Sequence, residues 1–335
     1  MIRRWQNRMA ESSATLPVAM LAATLLWWSP RMGNPVQYIF DWLLCVLTAV
    51  TLFQLDSQNA LLRVRSFLTT SVFLLLMAVC TDLHSLTPHL LCQLCTALSL
   101  YFLLHTYDQL HPSTNTLFSY LFLSLGSILW PPLLWFTPVL LWSQQVYLRS
   151  LRPESFCAAL FGMLLPYAFW GSWLTGEAVA AVVSRSAGDL GAIDPAYYQP
   201  LLAQGLRILS PLHTPLLWEQ SLELSRGEML QYGVVLLFAL TGSIHYLRMN
   251  YDDKIRVRMC YYTLLAVQWC VLLWIILQPT YLRELFPLLI LTSTPAAAHF
   301  AALTSGWFTN AWVILCLLLL IATAAINLFS TYNVV

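Results

Sequence analysis

The sequence predicts an all-α fold, a polytopic transmembrane bundle of about 11 helices, and three observations carry that reading. Charged residues make up 9% of the 335 and hydrophobic ones 59%, whereas a soluble globule is roughly 25% charged. Apolar runs recur from Ser13 to Phe329, each about 15 to 23 residues long, which is what a helix needs to cross roughly 30 Å of hydrocarbon. Arg and Lys collect in alternate connections, as they do in loops kept in the cytoplasm. Residues 1–335 therefore read as a single integral membrane domain.

The opening "MIRRWQNRMAESS" has the charge of a signal-peptide start, but "WWSPRMGNP" follows the first apolar run in place of an A-x-A-like cleavage site. The helix at 13–29 is thus read as retained. The next run, 37–55, carries Asp41 in "QYIFDWLLCVL", about one turn inside the helix. An acid there is either favoured by the helix N-terminus or stands ready for a substrate or cation. Runs at 66–83 and 88–105 follow, flanking "CTDLHSLTPHLL" with Asp82, His84 and His89.

The stretch from Ser127 to Gln145, "SILWPPLLWFTPVLLWSQQ", places Pro131, Pro132 and Pro138 where helical hydrogen bonds would run. Proline has no amide proton and its ring clashes with the preceding turn, yet it fits the first turn of a new helix. The chain is expected to break near Trp130, giving a short helical hairpin with arms at 116–130 and 131–148 and a kink at Pro138. Completing this hairpin keeps Arg149, Arg152, Arg248, Lys254, Arg256 and Arg258 on the same side as Arg3, Arg4, Arg63 and Arg65. The N-terminus is then cytoplasmic and the C-terminus is not.

A longer run at 156–182 ends near Glu177. After it comes the one long connection, 184–228, expected outside the cytoplasm with interfacial helices. Asp194-Pro195 and Thr214-Pro215 look like helix starts, and Ser225-x-x-Glu228 is a capping-box pattern before the next run. Further runs follow at 229–247, 259–278, 285–303 and 308–330. His299 lies among small residues in "TPAAAHFAAL", where a neighbouring helix can approach closely and must supply a hydrogen-bond partner.

The eight cysteines all fall in or beside apolar runs, so they read as small core residues and not as a disulfide framework. Cys92-x-x-Cys95 has metal or redox spacing but no second pair. Many of the 14 tryptophans sit at run ends as interfacial anchors. No Walker lysine motif, dinucleotide glycine pattern, GxSxG or HExxH occurs, and nothing points to nucleic acid.

The outer side is acid-rich. Asp41, Asp82, Glu177 and Asp194 are the catalytic candidates there, as a general base or as ligands of a divalent cation beside a diphosphate. Candidates for substrate or lipid phosphate are Arg63, Arg65, Arg256, Arg258, His213 and Trp218. No metal site is evident.

The stretch from "NALLRVRSFL" through "LSLYFLLHTYDQLHPSTNTLFSYLFLSLGSILWPPLLWFTPVLLW" to "LRSLRPESFCAALFGMLLPY" resembles an uncharacterised family of polytopic inner-membrane proteins of the Bacteroidota. More distantly, paired short helices, a Pro-broken hairpin, a basic inner loop and a further long span are similar to GT-C-type glycosyltransferases. That likeness implies transfer of a sugar from a polyprenyl-phosphate carrier at the outer face of the bacterial inner membrane. GT-C enzymes carry a catalytic acid in a substantial first outer loop; here "SPRMGNPVQ" is short and has none, so Asp41 inside the next helix would take that role. Two other classes stay open: a transporter or lipid carrier with His299 and Glu177 along its path, and a non-catalytic subunit of an envelope assembly. Expected partners are membrane lipids, polyprenyl phosphate among them, and other envelope proteins.

Overall fold

The computed structural model describes residues 14–28, 35–62, 66–85, 87–184, 206–214, 224–303 and 307–332, with Ser12 and Ala203 besides. The described residues form helices and turns, without a strand. The longer α-helices are α1 (Thr15–Trp27), α2 (Pro35–Asn59), α3 (Leu68–Val79), α4 (Thr87–Leu104), α5 (Ser113–Leu129) and α6 (Thr137–Val146), then α7 (Pro153–Ser184), α8 (Arg226–Met249), α9 (Ile255–Leu277), α10 (Leu282–Leu303) and α11 (Trp307–Tyr332).

Six of them are long and apolar enough to cross a membrane: α2, α4, α7, α8, α9 and α10. Among the described residues these six are the candidate spans, and the expected count of about eleven is not supported. The apolar runs do become helices, but α1, α3 and α6 have only 13, 12 and 10 residues, or roughly 15 to 20 Å of rise against a core of about 30 Å. Apolar composition continues through short 3₁₀ segments at Thr81–Ser85 and Pro131–Phe136, so a hydropathy run overstates the length of the helix inside it.

The proline-rich stretch breaks as its residues demand. α5 stops at Leu129, Trp130 turns out of helical geometry at φ −131° and ψ 89°, and Pro131-Pro132 open a 3₁₀ helix. Pro138 does not kink an arm: it lies in the first turn of α6, where a missing amide proton costs nothing. The chain then returns to its starting level. Gln144 donates to the Thr116 hydroxyl at 2.8 Å, and the Thr106 and Ser150 hydroxyls lie 2.8 Å apart. The descending arm gains reach from its 3₁₀ half, which rises about 2.0 Å per residue against 1.5 Å in α-helix.

α10 is the centre of the bundle. It packs against α8, α3, α9 and α4, and 94% of its most apolar window is buried, compared with 28% for α7. Both prolines inside it, Pro287 and Pro295, have carbonyls that receive side-chain donors from neighbouring helices. The Gln93 amide of α4 donates to Pro287 at 2.7 Å, and the Tyr261 hydroxyl of α9 donates to Pro295 at 3.3 Å. α5 lies between α4 and α7, and α6 against α9.

Candidate functional site

Two polar clusters lie at opposite ends of α10. The Asp41 end gathers the starts of α2, α4, α8 and α10 with the end of α3. Gln231 of α8 donates to the Thr81 hydroxyl at 3.1 Å, Arg283 of α10 pairs with Glu228 of α8, and the Trp130 indole donates to the Glu284 carboxylate at 2.6 Å. Ser225 and Glu228 close the expected capping box at the start of α8.

Asp41 is 0% exposed. The Thr87 hydroxyl is a hydrogen-bonding neighbour of the carboxylate, though neither oxygen has a hydrogen bond of ordinary geometry among the described residues. Buried polar atoms are nearly always hydrogen-bonded, so a carboxylate left this way is an exception that calls for a cause. Around this end, Trp27 stacks on His84 with ring centroids 3.7 Å apart and tilts against Trp42 at 5.2 Å. Gln37, exposed at the helix start, donates to the Thr87 hydroxyl at 3.3 Å. Asp82 lies in the 3₁₀ helix that packs against α2, so the fold brings two of the four predicted acids to one end.

The other predicted residues divide between the ends or fall outside the description. Glu177 is in α7 and His213 in the helical turn Ser210–His213, with both side chains outside the described set. Asp194, Trp218, Arg63 and Arg65 lie outside the described residues. Arg256 donates to the Asn59 side chain at 3.3 Å, and Arg258 is half-buried and acts on Tyr246. Among the described residues no three His, Cys, Asp or Glu side chains stand together as metal ligands.

The second cluster surrounds His299. Its Nε2 lies 3.3 Å from an oxygen of Asp253, with both side chains 1% exposed. Tyr246 and Tyr261 stack on each other at 4.0 Å and turn their edges or faces to the His299 ring at 4.9 and 5.5 Å. Asp56, at the end of α2, accepts from the Thr69 hydroxyl at 2.7 Å and the Leu62 amide at 3.2 Å. Asp253 and Asp56 were missed as site residues because both read as ordinary members of a polar connection. The one available signal was that a histidine within an apolar helix requires a partner.

Comparison of the chain with protein-family models, with curated proteins and with solved structures yields no match.

Proposed function

We propose that this chain is an integral membrane protein of the bacterial cell envelope that handles a polyprenyl-phosphate-linked sugar at the Asp41 end of its bundle. Asp41 would act as the general base, or as one ligand of a divalent cation beside the diphosphate. The observation that carries this reading is the Asp41 carboxylate itself, fully buried without a hydrogen bond of ordinary geometry. A buried carboxylate whose bonding capacity is left mostly unused can be satisfied by a ligand.

The distribution of charge supports an orientation. Arg149, Arg152, Arg248, Lys254, Arg256 and Arg258 belong to the Asp253 end, where Tyr147 meets Tyr262 at 5.7 Å and Asn250 donates to the Tyr262 hydroxyl at 2.8 Å. Under the positive-inside rule that end is cytoplasmic and the Asp41 end faces the periplasm.

The test is native mass spectrometry of the protein purified in mild detergent. A stoichiometric polyprenyl phosphate or glycolipid on the wild type, absent from Asp41→Asn at equal protein level, is the expected result. Bulk phospholipid alone on both proteins overturns the reading.

A further inference from the structure

The Asp253 end contains a device independent of the site at Asp41. We propose that Asp253 and His299 form a latch that holds the α8–α9 turn against the last part of α10 and keeps this end of the bundle closed.

The two partners sit on backbones of very different freedom. His299 is inside α10, one turn after Pro295, on the most enclosed helix of the fold. Asp253 follows a three-residue 3₁₀ turn, Asn250–Asp252, and has extended backbone at φ −86° and ψ 152°. Its neighbours Tyr251, Asp252, Lys254 and Ile255 are all exposed, whereas Asp253 itself is 7% exposed. A carboxylate that points inward from an otherwise outward-facing turn is held there by what it meets, because water is one small rotation of the turn away.

It meets His299 at 3.3 Å and hydrogen-bonds the Tyr246 side chain, which itself faces the His299 ring. The groups facing the histidine are His245 and Tyr246 from α8, Asp253 from the turn and Tyr261 from α9; Asp56 of α2 acts on Tyr261, and Arg258 on Tyr246. α3 packs on α10 from the remaining side and contributes no ionisable residue. Removing either partner of the pair therefore loosens the hold on the turn, while the Gln93 bond to Pro287 and the contacts nearer the Asp41 end stay in place. The expected consequence is local opening of one end and not loss of the fold.

Cysteines report on this without added probes. Cys260 lies in the first part of α9 beside Tyr261 and is 0% exposed; Cys45 and Cys80 are equally buried on α2 and at the end of α3, away from the latch. The experiment is peptide-resolved mass spectrometry of N-ethylmaleimide labelling on the full chain in lipid nanodiscs. Asp253→Asn and His299→Gln are each expected to raise the Cys260 labelling rate by at least about tenfold, with Cys45 and Cys80 within about twofold of wild type. The double variant is expected to label no faster than either single one, as befits one device. Unchanged Cys260 labelling in both single variants overturns the latch, as do additive increases in the double variant. A parallel rise at Cys45 and Cys80 also overturns it, because the pair would then hold the whole fold.

Discussion

Gly242 and Ala297 bring α8 and the central helix α10 into backbone contact: a Cβ at position 242 would sit 2.7 Å from the Ala297 amide nitrogen and 2.8 Å from the Ala296 carbonyl carbon. Helices in apolar surroundings associate through such close approach of small residues, which lets dispersion and interhelical hydrogen bonds act at short range. Beside Gly242, Ser243 accepts from Gln268 of α9 at 2.7 Å.

Gly242→Ala is accordingly expected to destabilise the protein by about 1 to 3 kcal/mol, since the obstacle is backbone and cannot rotate away. Gly233 on the same helix has nothing within 4 Å of its would-be Cβ. Gly233→Ala should be neutral or stabilising by up to about 1 kcal/mol through helix propensity. Thermal unfolding of both variants in one detergent checks the contrast, and equal shifts would contradict it.

Asp41 is expected to be a residue the fold is better off without. Replacing a buried carboxylate that lacks a hydrogen bond of ordinary geometry by an apolar side chain of similar size, Asp41→Leu, should raise stability by about 1 to 3 kcal/mol while removing retained lipid ligand. A fall in melting temperature would mean that the carboxylate holds the start of α2, and the functional reading of Asp41 would lose its support.

Ala60 ends α2 in the left-handed region at φ 50°, with the Leu61 amide donating to the Asp56 carbonyl at 3.2 Å. This is a Schellman-type ending, which glycine fills without steric cost. Ala60→Gly should therefore stabilise by about 1 kcal/mol, read as a higher unfolding midpoint.

At the start of α8 the Ser225 hydroxyl accepts from the Glu228 amide at 3.2 Å, and the Ser225 amide donates to the Glu228 carboxylate at 2.7 Å. Ser225→Ala is expected to cost about 1 kcal/mol. Hydrogen exchange should quicken at the first turn of α8 and leave the amides of α10 unchanged; uniform quickening would argue that the cap supports more than its own helix.

Where local chemistry dominates, the sequence is a good guide. The break at Trp130, the cap at Ser225 and the helical state of every apolar run depend on proline geometry, one short side chain and the need of the backbone to bond to itself in lipid. The partner of His299 was legible only as a requirement. Asp253 is separated from it by the whole of α9, and no spacing rule links the two. The conversion of apolar runs into helices too short to span, as in α3 and α6, was hidden because 3₁₀ turns and α-helix can share one composition.

By itself, then, the sequence determined that this chain is built from apolar helices and where most of them begin and end, because hydrophobic burial and backbone hydrogen bonding act on each segment separately. Only the tertiary structure decided that α10 is the enclosed helix, that Asp41 is buried without a hydrogen bond of ordinary geometry, and that Asp253 meets His299. Those are relations between segments distant in the chain, fixed by which faces pack together, and a periodic apolar pattern carries no address for its partner.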